Sequence, residues 1–131
     1  MFNSPDAVGK IVLMADDDVR FMGALSKRIR ALGFTVIECQ DAYMATDLAR
    51  RHNPDVILLD VNMPAGNGDS THERLSKIPE TAEIPVIYVT GDQSQRVRDR
   101  AEQLGAFAIV RKPVDMGDLA SHLFLAVRKA A

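Results

Sequence analysis

Five times along this 131-residue chain a short apolar run gives way to a longer stretch with helical spacing. Residues 10–15 (KIVLMA), 34–39 (FTVIEC), 55–60 (DVILLD), 84–90 (IPVIYVT) and 106–111 (AFAIVR) are the apolar runs. Their length and their Ile and Val content read as buried strands. After the first run the period changes: Phe21, Leu25, Ile29 and Leu32 recur at helical spacing until Gly33. Residues 42–52 form a second such stretch, closed by Asn53 and Pro54. Residues 69–78 and 93–105 are a third and a fourth, and Leu119, Leu123, Ala126 and Ala130 mark a fifth after Pro113. The third run is apolar on both faces, as a central parallel strand must be. Strict alternation of this kind folds as an α/β domain: a five-stranded parallel sheet with five helices on its two faces.

The length suits one domain. The expected division is a polar leader over residues 1–9 and a single domain over residues 10–131, with no linker, repeat or second domain. No apolar run approaches the ~20 residues needed to cross a bilayer, and the N-terminus lacks the basic-then-apolar order of a signal peptide. A net charge of −2 gives no electrostatic hold on nucleic acid or an anionic membrane. Cys39 is the only cysteine, so no internal disulfide can form. These features point to the cytoplasm, with Cys39 as a small core residue.

Sites in doubly wound sheets lie beyond the carboxyl ends of the strands. The residues found there are Asp16 and Asp17 after the first strand, Asp60 at the end of the third, Thr90 at the end of the fourth and Lys112 after the fifth. Three converging carboxylates would raise at least one pKa and cost stability. A hard divalent cation removes that cost: Mg²⁺ (or Mn²⁺) together with Lys112 balances the three negative charges. Mg²⁺ takes few carboxylates and keeps several waters. Asp17 and Asp60 are the expected direct ligands, with the Asn62 backbone carbonyl as a third and Asp16 acting through water. A carboxylate can also attack phosphorus to give an acyl phosphate. Asp60, between the acidic pair, Thr90 and Lys112, is the expected nucleophile. Asp18 is expected to cap the first helix instead.

Taken in order, DDD after the first strand, LLDVNMPAGNG around Asp60, VIYVTG ending in Thr90 and Gly91, and GAFAIVRKP ending in Lys112 and Pro113 resemble the receiver domain of two-component response regulators. Any one of these is weak, but together, each at a strand end, they are specific. The resemblance implies the flavodoxin-like, CheY-like strand order 2-1-3-4-5. It implies Asp60 as phosphoacceptor, with Asp16, Asp17 and the Asn62 carbonyl at the metal and Thr90 and Lys112 on the phosphoryl group. It also implies a cis Lys112–Pro113 bond. The implied partners are a sensor histidine kinase or phosphotransfer protein and a downstream protein, without direct nucleic-acid or membrane contact. Arg96, Arg98 and Arg100 share the fourth helix with Asp99 and Glu102. That face reads either as a solvated mixed-charge surface or, with the outward Leu125 and Phe124 of the fifth helix, as a homodimer contact through the fourth helix, fifth strand and fifth helix.

Two positions depart from the family pattern. Receivers carry an aromatic switch residue three positions before the lysine, where this chain has Ile109; Phe107, two residues earlier, is expected on the same strand face. After Gly68, where apolar residues are usual, stand Asp69, Ser70, Thr71 and His72, expected to be frayed or exposed to a partner. Two other readings compete. One is a receiver that binds partners without phosphate, kept open by Ile109. The other is a haloacid-dehalogenase-like phosphohydrolase, disfavoured because DVNMP lacks the second aspartate of a D-x-D motif.

Overall fold

The computed structural model describes residues 5–62 and 68–129. Strands and helices alternate as β1 (Ile11–Ala15), α1 (Val19–Ala31), β2 (Thr35–Cys39), α2 (Ala42–His52), β3 (Val56–Leu59), α3 (Gly68–Ser76), β4 (Val86–Thr90), α4 (Gln95–Leu104), β5 (Ala108–Arg111) and α5 (Met116–Lys129). All strand pairings are parallel and the order is β2-β1-β3-β4-β5, as the sequence predicts. Each parallel pair must be joined by a crossover, which is why a helix follows every strand.

Local chemistry sets the helix ends. The Asp18 carboxylate accepts from the Phe21 amide at 3.0 Å and starts α1. Asp41 does the same for α2, accepting from the Met44 amide at 2.8 Å. Asn53 closes α2 in the left-handed conformation (φ 47°) just before Pro54. Gly105, at φ 73°, ends α4, where a side chain would be strained.

Every residue of β3 is buried. Alternating side chains divide the core between the two faces of the sheet. Val12, Met14, Val56, Leu58, Ile87 and Val89 pack with Met22, Leu25 and Ile29 of α1 and with Leu119, Leu123 and Ala126 of α5. Leu13, Ile57, Leu59 and Tyr88 pack on the other side with Ala45 and Ala49 of α2, Leu75 of α3, and Val97 and Ala101 of α4. The alanines let α2 approach the sheet closely. Each large aliphatic side chain so buried contributes about 1.5–3 kcal/mol.

Several expectations are refined. Residues 5–9, read as leader, turn back onto the fold: Ala7 is fully buried, and Arg128 of α5 donates to Asp6 at 2.8 Å. Thr71 and His72 are buried rather than exposed to a partner. His72 is held at 2.8 Å from the Tyr88 hydroxyl through Nδ1, so a polar pair joins α3 to the sheet beside the apolar contact of Leu75. Phe107 precedes β5 and packs with the α1 and α5 side of the core, whereas Ile109 packs with the opposite side. They do not share a face, because the regular alternation starts only at Ala108. The loop at residues 63–67 and the expected helix residue Ala130 lie outside the described residues. None of the described helices is long and apolar enough to cross a membrane.

Candidate functional site

The register of β1 and β3 brings the first acids together. Ala15 stands beside Leu59, and the Asp60 amide donates to the Ala15 carbonyl at 3.0 Å. Asp16 and Asp60, one residue further on, therefore share the upper rim. Carboxylate oxygens of Asp16, Asp17 and Asp60 lie within 4.8 Å of one another. Asp16 and Asp60 are buried and Asp17 is exposed, so the cluster opens to solvent on the Asp17 side.

Lys112 closes the cluster from β5. The backbone positions it, since the Lys112 amide donates to the Thr90 carbonyl at 2.9 Å and so extends the β4–β5 ladder. Its Nζ donates to Asp16 Oδ2 at 2.8 Å and stands 3.6 Å from Asp60 Oδ2. The Lys112–Pro113 bond is cis, as expected.

The electrostatics follow from this packing. Burial raises the Asp16 pKa above the ordinary carboxylate value, and the Asp60 charge raises it further. Hydrogen bonds from Lys112 and the Asp18 amide offset only part of this. Burial alone would lower Lys112, but its bond to Asp16 and the charges of Asp16 and Asp60 outweigh that, and its pKa is raised. One lysine against three carboxylates leaves the cluster electron-rich and made entirely of hard oxygen donors. That donor set fits a divalent cation of the Mg²⁺ type.

The other predicted residues, Asn62 and Thr90, lie just after β3 and at the end of β4. Asp60 Oδ1 accepts from the Asn62 amide at 3.2 Å, which folds the chain after β3 back over the carboxylate. Thr90 is fully buried at the end of β4, and its hydroxyl accepts from the Asp92 amide at 3.0 Å. Asp92 also receives the Asn62 side-chain amide at 3.5 Å, so the loops after β3 and β4 are linked. Sequence reading missed this link, because it assigned Asn62 only through its backbone carbonyl and gave Asp92 no role. Asp18 caps α1 as expected, and its amide donates to Asp16 Oδ1 at 2.9 Å.

Ile109 lines a hollow of about 240 Å³ together with Asp92, Gln93, Val97, Arg98 and Arg111. Gln93 spans its rim: its carbonyl accepts from Arg98 at 2.7 Å and its side-chain oxygen from Arg111 at 2.6 Å. The arginines of α4 are thus engaged within the chain, with Arg100 paired to Glu73 at 2.7 Å. Leu125 of α5 is exposed. Cys39 is buried, and burial pushes its thiol up to about 12, in line with a core role.

Comparison with known proteins agrees with the geometry. The response regulator receiver domain family matches residues 12–124. The polar-differentiation response regulator DivK of Brucella ovis is 33% identical over 107 residues, covering 82% of this chain and 87% of DivK. The transcriptional regulatory protein PdtaR of Mycobacterium tuberculosis is 31% identical over 124 residues, 94% of this chain, and this chain spans 59% of PdtaR. A CheY-like receiver structure from Methanospirillum hungatei superposes with a TM-score of 0.86 at 22% identity, covering 92% of this chain and 95% of its own. Receivers are signalling modules, which sets the phosphohydrolase alternative aside. The chain belongs to the response regulator receiver domain family, with an acidic pocket of Asp16, Asp17 and Asp60 at the head of its sheet.

Proposed function

We propose that this receiver takes a phosphoryl group on Asp60 in the cytoplasm and uses it to switch protein–protein contacts. The observation that carries the reading is the meeting of Asp16, Asp17 and Asp60 within 4.8 Å with Lys112 against two of them. Asp17, Asp60 and the Asn62 carbonyl would hold Mg²⁺ or Mn²⁺ directly, with Asp16 reaching it through water. When bound, the ion supplies positive charge that offsets the carboxylates and the incoming phosphoryl oxygens.

An oxygen of the Asp60 carboxylate forms the new bond to phosphorus. With a kinase or phosphotransfer phosphohistidine as donor, the P–N bond breaks and the ring nitrogen keeps the electron pair. With acetyl phosphate, the P–O bond breaks and acetate leaves. Lys112 stabilises charge on the transferred group, and Thr90, whose oxygen accepts from the Asp92 amide, donates its hydroxyl proton to a phosphoryl oxygen. Two charge-assisted bonds, at roughly 1.5–3 kcal/mol each, give about 3–6 kcal/mol before costs. Inverting a 1:99 equilibrium takes about 5.5 kcal/mol, so the contacts suffice for a substantial shift.

Thr90 is tied to the start of the loop leading into α4, so the switch runs through residues 91–94 and α4. With Ile109 in the aromatic position, the 240 Å³ hollow beside it stands in place of a swinging ring. Exposed Leu125 supports α4, β5 and α5 as the contact face toward a downstream protein or a second copy.

Incubation with acetyl phosphate and Mg²⁺, followed by intact mass, tests the reading. One added phosphoryl group, absent from Asp60→Asn, is expected. An equal adduct on Asp60→Asn moves the nucleophile elsewhere. No adduct on the native chain, from acetyl phosphate or phosphohistidine donors, favours the phosphate-independent interaction module.

A further inference from the structure

The Lys112 ammonium has a third neighbour besides Asp16 and Asp60. Its Nζ stands over the face of the Phe21 ring, 4.3 Å from the centroid. This is well inside the ~6 Å reach of a cation–π contact. We propose that Phe21 is a positioning residue for Lys112, holding its ammonium on the edge shared by Asp16 and Asp60. The consequence for phosphoryl transfer rests on the reading of Asp60 given above.

The placement of the ring follows from the acidic run itself. The Asp18 amide donates to Asp16 Oδ1 at 2.9 Å, and the Asp18 carboxylate accepts from the Phe21 amide at 3.0 Å. Asp16 is thus connected through Asp18 to the residue whose ring faces the lysine bound to Asp16. The third aspartate, which stands outside the metal cluster, fixes where the first turn of α1 begins and so where the ring lies. On its inner side Phe21 packs against the core, and with Leu25, Val114 and Met116 it lines a hollow between α1 and the segment after β5. The core packs against the ring, and a face is presented to the ammonium.

An ammonium carries three N–H donors on a flexible stem. At 2.8 Å the bond to Asp16 is formed, whereas at 3.6 Å Asp60 is only approached. A lysine steered by Asp16 alone would be free to swing about that bond. The ring face limits that swing, with the ammonium kept 3.6 Å from Asp60. A phosphoryl group arriving on Asp60 then meets an ammonium already placed.

The test compares native protein with Phe21→Leu, which keeps apolar bulk but has no π face, and Phe21→Tyr, which keeps the face. In metal-free protein, NMR should show the Lys112 ε-methylene protons upfield of those of Lys10, Lys27 and Lys77. That shift should vanish in Phe21→Leu and persist in Phe21→Tyr. With acetyl phosphate and Mg²⁺, Phe21→Leu should accept phosphoryl about fivefold more slowly, the equivalent of a ~1 kcal/mol cation–π contact. Phe21→Tyr should restore most of the rate. In a Lys112→Met background, Phe21→Leu should have no further effect on phosphorylation. Lack of the upfield shift in native protein overturns the inference, as does an equal loss of rate in the Lys112→Met background. A native upfield shift with no adduct from any donor supports the placement of Lys112 and overturns the phosphoacceptor reading instead.

Discussion

Lys112 and Asp16 are 96 residues apart in the chain, yet Nζ and Oδ2 lie 2.8 Å apart at the head of the sheet. Asp16 is almost wholly buried, so this bond is its charge compensation within the protein. Removing the lysine strands the carboxylate.

Lys112→Met should therefore destabilise the metal-free protein by about 2–3 kcal/mol at neutral pH. Asp16→Asn in the same chain should return most of that loss, since the amide needs no counter-charge. Urea melts of the two single variants and the double variant check this. A Lys112→Met melt identical to that of the native protein would remove the pair from the account of stability.

Divalent cation should raise thermal stability through the same cluster. At a Mg²⁺ concentration 100 times its Kd the gain is about 2.7 kcal/mol. For a chain of this size that corresponds to roughly 10 °C in Tm. Asp17→Asn should need at least about tenfold more Mg²⁺ for the same gain, because it removes a charged donor. Calorimetry across a Mg²⁺ series measures both, and an unchanged dependence in Asp17→Asn would exclude that side chain as a ligand.

His72 predicts how stability changes with acid. Burial, assisted by the Arg100 charge, lowers its pKa to about 4 from an ordinary value of 6.5. Between those values the unfolded chain binds the proton and the folded chain does not, so stability falls as pH drops from about 6.5 toward 4. Above 6.5 the side chain is neutral in both states, and below 4 both are charged, so it adds no slope in either range. The full window is worth about 3 kcal/mol. His72→Phe should flatten that part of the profile. It should also cost about 1 kcal/mol at pH 7 through the lost bond to Tyr88. Chemical denaturation of both proteins between pH 4 and 8 is the measurement.

Ser26 offers a stabilising change. It is fully buried in α1, and among the described residues its hydroxyl is the one buried side-chain polar atom without a partner. Ser26→Ala removes an unpaired hydroxyl and adds helix propensity. A gain of about 1 kcal/mol is expected, read as a higher denaturation midpoint at unchanged m-value. A loss of stability would mean that the hydroxyl has a partner, such as an internal water.

Much of this protein was legible as a string. Strands revealed themselves through apolar runs of sheet length, and helices through three-to-four-residue spacing ended by Gly33, Asn53 and Gly105. Asp16, Asp17, Asp60, Thr90 and Lys112 stood out because parallel sheets collect chemistry at strand ends. The burial of Thr71 and His72 was not legible. For His72 it depends on Tyr88, a partner on another element whose hydroxyl lies 2.8 Å from the imidazole. Phe107 was misassigned to the face of Ile109 because one residue of uncertainty at a strand end reverses a period of two.

By itself the sequence determined the class of fold, the order of its elements and which polar residues reach the rim, since periodicity and strand-end position are local properties. Only the tertiary structure decided that Lys112 bonds Asp16 more closely than Asp60, that Phe21 turns its ring to that lysine, and that Asn62 joins Asp92. Those outcomes depend on distances of a few ångströms between segments far apart in the chain. Strand register and helix packing set such distances, and no short window of residues encodes them.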